Sequence, residues 1–515
     1  MINREKWSKV KKKQYNVVKI ILFFLLLLLL IGAATKVTQR KESVKKYADF
    51  MELADQIDVL FFGSSHVLNG INPAQLYAEY GITSYNMAKQ GGMVTESYWT
   101  LMNALDYCSP KCVVVDVWAL DRNYKYVDVM NGTESWEDRK NSVSLLHNNL
   151  DVWPLSRNKI AAVRDLIRDK EIRKEFLWDF TLYHNRWSVL GKEDFQVLTG
   201  QIESSGLLGS TPVAEYYPEV KVYQPQNSGE ILPDETVCVQ YLNRIIEECE
   251  VRGIQVVFTF IPMASSYEQD WQAVNTAEAI GEKHQIPFIN LLPHDTQSVV
   301  DFYTDMCDDT HLNANGMRKV TSHVGAYLSG LEAVADHRGE GGYARWEEKV
   351  SSWQAEEINS LLGEKDLYLE LGQIQNVNAS AVIFMPGGSQ AIYDPMVRRL
   401  IGQLTGGTKG IDEAAQVNGP YLLIRDGVGS KNGQIQNREF SGEIQPDTFP
   451  TALGDTTYIG LSNYAAIYAD GDQENNYLNM EDHYYADVQI IILGAEGEVM
   501  AKLYYDPVWN EMKRE

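Results

Sequence analysis

The chain has 515 residues, of which 44% are apolar, so it is long enough for two or three domains and at least one large core. Its charge is lopsided: residues 1–46 carry 12 Lys or Arg against two acidic residues, whereas the rest carries 34 basic and 68 acidic residues. The strong negative charge of residues 47–515 repels the phosphate backbone of nucleic acids, which excludes nucleic-acid binding as a general function.

An apolar stretch near the N-terminus predicts a membrane helix. Ile20 to Ala34 is uncharged and follows the basic segment KWSKVKKKQYNVVK. A span needs roughly 20 residues, which Val17, Val18 and a snorkelling Lys19 supply. A cleaved signal peptide, cut within GAATKVTQRK, is the open alternative. We favour an uncleaved single-pass anchor within residues 1–46, with the N-terminus in the cytoplasm and the body outside the cell membrane, because Lys and Arg precede the span.

Five apolar runs alternate with helix-like segments between residues 47 and 335. They read DVLFFGSS, GITSYNMA, KCVVVDVWAL, GIQVVFTFIPM and IPFINLLPH. Continuous apolar runs separated by helices are typical of strands buried on both faces, so this part is predicted as an α/β domain with a three-layer parallel sheet. A partly helical insertion, about 121–233, interrupts it.

The C-terminal third differs in pattern. Residues 336–366 are predicted as a linker with a charged helix, and 367–515 as a mainly β accessory domain with one or two helices. Its strand-like runs include LYLELG, SAVIFMPGG, PYLLIRDG and ADVQIIILGAEGEVMAKLYYD, in which GAEGEV is a hairpin signal. No catalytic motif is visible there.

The five cysteines are too few, and odd in number, for a disulfide framework. The segment CSPKC either closes a small local loop or holds two free thiols. No Cys/His cluster has metal-ligand spacing, so we expect no metal and no cofactor.

The first predicted strand ends in Gly63, Ser64, Ser65 and His66. Ligands bind outside the carboxyl ends of parallel strands, and a following helix N-terminus offers N–H groups to a developing oxyanion. A serine here is therefore a candidate nucleophile. The alternative is a plain strand-to-helix turn in which small residues only cap the helix.

A glycine loop follows the second strand, where Asn86 precedes Gly91 and Gly92. Glycines let a backbone N–H approach a tetrahedral intermediate closely, although a turn with positive φ explains them equally well.

Asp308 and His311 lie just before the last helix of the same domain, in DDTHLNANG. A carboxylate three positions before a histidine can orient the imidazole, which leaves the other ring nitrogen to take a serine proton. Asp309 is an alternative partner that spacing alone does not exclude, and a capped loop histidine is the structural alternative.

Taken together, these three motifs resemble the SGNH/GDSL hydrolase superfamily in order and placement over residues 55–330. The resemblance implies Ser65 as nucleophile, His311 as base, Asp308 as its orienting carboxylate, and the Ser65 and Gly91 N–H groups as the oxyanion hole. His66 is predicted to support the site or to belong to the loop, and the role of catalytic base is its alternative.

The third block departs from the family pattern. Members usually carry an Asn after the third strand as an additional oxyanion donor. Here VVVDVWALDRN offers Asp116, Trp118 and Asp121 instead. An ionised Asp cannot donate a hydrogen bond.

GSS in place of GDS, with an anchor and an extracytoplasmic body, resembles the acyl-transfer branch of the superfamily. That branch includes the D-alanyl transfer protein of lipoteichoic acid synthesis and the alginate and peptidoglycan O-acetylation proteins. The resemblance implies a membrane-bound O-acyltransferase partner. The segment LYHNRWSVLGKEDF is also similar to surface proteins of Gram-positive bacteria, which makes His184, Arg186 and Trp187 candidate substrate contacts; an ion pair over a core tryptophan is the alternative.

The sequence thus predicts a membrane-anchored serine O-acyltransferase, with acetyl as the expected group, acting on a cell-surface polysaccharide or teichoic acid. An esterase with the same triad, and a non-catalytic scaffold that binds polymer or an acyltransferase, are the alternatives.

Overall fold

The computed structural model describes residues 2–39, 41–126, 144–177, 184–199, 206–294, 299–427, 436–442, 447–451, 454–461, 464–469, 478, 483, 485–494 and 498–515. Its strands are β1 Val59–Phe62, β2 Ser84–Asn86, β3 Cys112–Asp116, β4 Gln255–Phe260, β5 Phe288–Asn290, β6 Ser380–Met385, β7 Tyr421–Asp426, β8 Gln436–Ser441, β9 Asp447–Thr451, β10 Gly454–Leu461, β11 Tyr464–Ala469, β12 Val488–Leu493, β13 Val499–Asp506 and β14 Glu511–Arg514.

The α-helices are α1 Ile2–Thr38, α2 Lys41–Leu53, α3 Ser65–Gly70, α4 Pro73–Tyr80, α5 Val94–Ala104, α6 Ser144–Leu150, α7 Arg157–Leu166, α8 Lys170–Leu177, α9 Lys192–Gln196, α10 Val237–Arg252, α11 Glu268–His284, α12 Ala314–Leu328, α13 Ala344–Gly363, α14 Leu367–Asn376, α15 Pro395–Thr405 and α16 Lys409–Val417. Short 3₁₀ turns include Trp118–Asp121 and His184–Val189.

A five-stranded parallel sheet forms the first part of the fold, in the order β2-β1-β3-β4-β5. All five predicted runs are strands. The side chains of β1 alternate between two cores, with Leu60 and Phe62 in one and Val59 and Phe61 in the other. Helices cover both faces, so the α/β prediction is confirmed and its apolar runs are explained. The chain order reverses between β1 and β3, which creates a crevice at their carboxyl ends.

The N-terminal helix α1 carries an apolar segment, Tyr15–Thr38, that is long enough to cross a membrane. At 1.5 Å per residue its 24 residues extend about 36 Å. Its side chains from Ile20 to Leu30 are exposed to the surroundings rather than packed on the body. Length and composition therefore suit a single span, while its orientation stays a prediction.

The C-terminal part contains a six-stranded antiparallel sheet, β14-β13-β12-β6-β7-β8, and a three-stranded one, β11-β10-β9. The predicted hairpin is present, since β12 and β13 pair antiparallel. The domain boundaries at 335/336 and 366/367 stay predictions.

Two details of the C-terminal prediction are wrong. The run LYLELG is part of helix α14, because Asp366 caps it by accepting from the Tyr368 and Leu369 N–H groups and Leu367, Leu371 and Ile374 are buried on one side. The described residues of this part form three α-helices, α14, α15 and α16, rather than one or two.

A buried carboxyl in α14 makes stability depend on pH. Glu370 is 0% exposed, and neither of its carboxyl oxygens has a hydrogen-bond partner among the described residues. Burial, and then the nearby charge of Glu364, raise the pKa of Glu370 to about 9. The folded state therefore keeps a proton that the unfolded chain releases above about pH 4.3. Stability falls as pH rises from there towards 9, by up to roughly 1.4 kcal/mol per unit.

We expect Glu370→Gln, which cannot ionise, to be more stable than the wild type at pH 8, by about 2 to 4 kcal/mol. The two proteins should be nearly equal near pH 4. Denaturation midpoints at both pH values measure this, with the exposed Glu348→Gln as control. Parallel pH profiles for wild type and Glu370→Gln would contradict the prediction.

Candidate active site

The turn after β1 presents one serine hydroxyl to a cavity and uses the other for structure. Ser64 is the N-cap of α3, and its Oγ accepts a hydrogen bond from the His66 N–H at 3.3 Å. Ser65 is the first residue of the helix, and its side chain lines a cavity of about 750 Å³ at the carboxyl ends of the strands. The capping interpretation therefore applies to Ser64, and Ser65 is available for chemistry.

Three side chains far apart in sequence form a continuous hydrogen-bonded chain. Ser65 Oγ lies 2.8 Å from His311 Nε2, and His311 Nδ1 lies 2.8 Å from Asp308 Oδ2. An ionised carboxylate only accepts hydrogen bonds, so Nδ1 carries the imidazole proton and Nε2 is the acceptor for the Ser65 hydroxyl. This is the arrangement that serine acyl-transfer chemistry requires.

Asp308 is held in its ionised form. Burial alone would raise the pKa of Asp308, but the hydrogen bond to His311 and the N–H groups of Thr310 and His311 outweigh it and leave the pKa well below its ordinary value. Both N–H groups donate to Oδ1 at 2.7 Å. Asp309 is engaged elsewhere, since its Oδ1 accepts from the Lys221 N–H at 2.7 Å. Of the two spacing alternatives, Asp308 is thus the one that contacts His311.

His66 lies beside the triad without taking the position of its base. Its buried ring is 4.5 Å from the Trp118 ring and 4.9 Å from the His311 ring, centroid to centroid. Burial, and then the neighbouring His311, hold the pKa of His66 well below its ordinary value, so its imidazole is neutral. His66 therefore forms part of the cavity wall.

Two backbone N–H groups suit an oxyanion hole. The Ser65 N–H belongs to the first turn of α3, where helix N–H groups have no partner within the helix. Gly91 lines the same cavity with φ +63°, a conformation that other residues adopt at a cost. A Cβ on Gly92 would lie 2.5 Å from the Gly63 carbonyl oxygen, so the paired glycines allow the loop to pack against the nucleophile turn.

Asn86 has a structural role in this loop. Its Nδ2 donates to the Val67 and Ile71 carbonyl oxygens at 2.8 and 3.0 Å, and its Oδ1 accepts from the Ala88 N–H at 3.0 Å. The amide therefore ties the loop to α3 and does not reach the cavity.

The third strand supplies an arginine where the family pattern has Asn. Asp116 is buried below the cavity, where burial raises its pKa to about 7 and its Oδ1 lies 3.4 Å from the Ile261 N–H. Trp118, Asp121 and Arg122 line the cavity instead. The Arg122 guanidinium lies 2.6 Å from Asp121 Oδ2 and 5.0 Å from the Trp118 ring centre. Arg122 belongs to the same segment, VVVDVWALDRN, in which Asp116, Trp118 and Asp121 were the candidates.

The fourth strand contributes residues that sequence reasoning missed. Tyr267 and Asp270 line the cavity from the start of α11, just after β4. Burial raises the pKa of Asp270 to about 6. They lie four and seven positions after the end of the predicted run GIQVVFTFIPM, in the connection that leads to α11. Thr211 also lines the cavity, from the insertion, where no sequence signal identified it.

Arg186 and Trp187, two of the three candidate substrate contacts, are not among the described residues that line this cavity. The Arg186 guanidinium donates to the Thr38 and Gln39 carbonyl oxygens and lies 3.5 Å from Asp194 Oδ1, so it secures the C-terminal end of α1. These contacts match the structural alternative for Arg186. Trp187 is 53% exposed, so it is not a core tryptophan. The side chain of His184 lies outside the described part of the structure.

The cysteines are free in the structure, including the pair in CSPKC. Cys307 lines the cavity, where burial raises the pKa of its thiol to about 12. In the part of the chain that the structure describes, no group of three or more His, Cys, Asp or Glu side chains is placed to hold a metal ion.

Fold and site together define an α/β protein with a Ser-His-Asp chain at the carboxyl edge of a parallel sheet. No family model matches the sequence, and neither does any curated protein. Among solved structures, the chain is similar to a crystal structure from Bacteroides fragilis described as a "putative acylhydrolase", with 10% sequence identity and a TM-score of 0.27. The match covers 55% of this chain and 95% of the other.

Proposed function

We propose that this protein is a membrane-anchored serine O-acyltransferase of the SGNH type that modifies a cell-surface polysaccharide or teichoic acid. The observation that supports it best is the chain from Ser65 Oγ to His311 Nε2 and from His311 Nδ1 to Asp308, each contact 2.8 Å long. We take the transferred group to be acetyl.

In the first half-reaction His311 Nε2 takes the proton of the Ser65 hydroxyl, and Oγ attacks the carbonyl carbon of the donor ester. The carbonyl oxygen becomes an oxyanion, which the Ser65 and Gly91 N–H groups stabilise. When the intermediate collapses, the ester bond to the leaving alcohol breaks and His311 returns the proton to that alcohol. The acyl group is then an ester of Ser65.

In the second half-reaction an acceptor hydroxyl gives its proton to His311 and attacks the acyl-enzyme. A sugar or polyol hydroxyl yields transfer, and water yields hydrolysis. We favour transfer because of the apolar helix α1 and the GSS motif, and an esterase with the same triad is the second candidate.

Arg122 is our candidate for the function of the absent Asn. It is a cation in the cavity wall after β3, and its guanidinium always keeps its donors. Asp121 orients it through a 2.6 Å contact and offsets part of its charge. A charged donor near the acyl carbonyl stabilises the developing oxyanion as an amide would.

The cellular setting follows the same proposal. With α1 spanning the membrane and the basic tail inside, the catalytic body lies on the outer side of a Gram-positive-type cell. An acyl group made inside must then cross the membrane, which is why we propose a membrane-bound O-acyltransferase as partner. Trp187 has an exposed ring that can stack on a polymer sugar.

The acetate content of the surface polymer in a deletion strain tests the proposal. We expect ester-linked acetate to fall without the gene and to return with wild-type protein but not with Ser65→Ala. A rise in acetate would support the esterase. Equal rescue by Ser65→Ala would contradict both enzymatic functions and favour the scaffold, whose best support is the absent Asn.

A further inference from the structure

A second cavity adjoins the candidate active site and is lined by lysines. It has a volume of about 400 Å³, and Lys45, Lys46 and Lys89 contribute to its wall. Leu68, Gln90 and Thr211 line both this cavity and the larger one at Ser65. The two cavities are thus neighbouring compartments of one cleft.

In the described part of the chain, the lysines of this second cavity form no ion pair. Lys46 Nζ donates to the Ala88 carbonyl oxygen at 2.9 Å, and among the described residues no carboxylate lies within ion-pair distance of Lys45, Lys46 or Lys89. Burial lowers the pKa of Lys89 to about 8, against an opposing effect of Glu96. Burial, and then the charge of Lys89, hold the pKa of Lys46 well below its ordinary value. An anion that enters the cavity would favour the charged form of both side chains.

The loop between the cavities joins the lysines to the catalytic turn. The Lys89 N–H donates to the Gly63 carbonyl oxygen at 3.1 Å, next to Ser64 and Ser65. Gly91 follows two residues later on the same loop. A group held at Lys89 therefore lies beside the oxyanion loop.

The position of the lysines also relates the cavity to the membrane helix. Lys45 and Lys46 belong to α2, which starts three residues after α1 ends at Thr38. Lys45 and Lys46 follow Thr38 by seven and eight residues, so they lie near the end of the apolar segment along the chain. Since the body of the chain is strongly acidic, such a basic cavity is a local exception to its charge.

We propose that this lysine cavity is an anion subsite that takes a phosphate group of the substrate while the acyl group reacts at Ser65. The assignment of this phosphate to the substrate rests on the proposed acyl-transfer function, which it makes more specific. Lysine ammonium groups bind phosphate as compact point charges, and several of them in one cavity suit a group that carries more than one negative charge. The phosphate belongs either to a lipid headgroup or to a polymer unit.

The test is calorimetric titration of the full chain in a neutral detergent with inorganic phosphate. We expect saturable binding that weakens as sodium chloride rises, because salt screens the lysine charges. Lys89→Gln should weaken it at least tenfold, whereas Lys89→Arg should stay within about threefold of the wild type. The exposed Lys111, next to the opposite end of β3, supplies the control Lys111→Gln, which should bind as the wild type does.

Competition separates the two sources of phosphate. Displacement by phosphatidylglycerol in mixed micelles, but not by phosphatidylcholine, assigns a lipid headgroup; displacement by soluble glycerol phosphate alone assigns a polymer unit. Absence of saturable binding, or equal binding by Lys89→Gln, overturns the subsite. Ser65→Ala should bind phosphate as the wild type does, so a chain that binds phosphate but shows no serine reactivity would refute the acyl-transfer function and keep the anion subsite.

Discussion

Ser65→Ala is expected to abolish labelling of the protein by a serine-reactive fluorophosphonate probe. The probe forms a bond to an activated serine Oγ, and Ser65 is the serine whose hydroxyl lies 2.8 Å from His311 Nε2. Acyl transfer should fall by roughly 10⁴- to 10⁶-fold, because loss of a nucleophile removes the covalent pathway and leaves only binding and the oxyanion hole. Gel fluorescence and transfer rates measure the two effects.

The neighbouring Ser64→Ala is the matched control, since it removes an identical hydroxyl one residue away. Ser64 caps α3, so this variant should lose about 1 kcal/mol of stability and keep its labelling. If wild type is not labelled, or if Ser65→Ala labels as strongly as wild type, Ser65 is not an activated nucleophile and the scaffold function gains support.

Asp308→Asn is expected to lower the turnover number by about 10²- to 10⁴-fold while KM changes little. The carboxylate accepts hydrogen bonds from His311 Nδ1 and from the N–H groups of Thr310 and His311. An amide keeps the shape but brings N–H donors, which favours the imidazole tautomer with its proton on Nε2. That tautomer cannot accept the Ser65 proton. Steady-state kinetics with an acyl ester check the result.

Asp309→Asn is the control for the carboxylate at the adjacent position. Its side chain accepts from the Lys221 N–H, so the variant should lose at most about 1 kcal/mol of stability and retain turnover. Equal losses of turnover in the Asp308 and Asp309 variants would mean that the loop fold, rather than the orientation of His311, had been damaged.

Much of the parallel sheet could be predicted from the sequence because its signals are local. An apolar run such as VLFF has to be buried on both faces, and β1 does alternate between two cores. The carboxyl-end rule then directs attention to Ser65. The run LYLELG was wrongly predicted as a strand, because a short apolar segment fits the periodicity of a strand as well as that of a helix. In the structure Asp366 caps it as the start of a helix.

Side-chain pairing across the fold could not be obtained in this way. Asp308 and Asp309 are neighbours with the same chemistry, and His66 lies one residue from Ser65, yet packing brings His311 to Ser65 over 246 positions. Arg186 and Arg122 show the same limit. Arg186, a predicted substrate contact, donates to the Thr38 carbonyl oxygen at the end of α1. Arg122, which the sequence did not single out, lines the cavity.

By itself, then, the sequence determined the elements of the parallel sheet, the apolar helix and the strand ends at which chemistry was to be sought. Only the tertiary structure showed which carboxylate contacts His311 and which arginine lines the active-site cavity. It also showed that three lysines line a second, neighbouring cavity. The physical reason is that the periodicity of buried residues can be recognised within a few consecutive positions. A hydrogen bond or a cavity wall depends instead on distances between segments that are far apart in sequence and meet only in the folded chain.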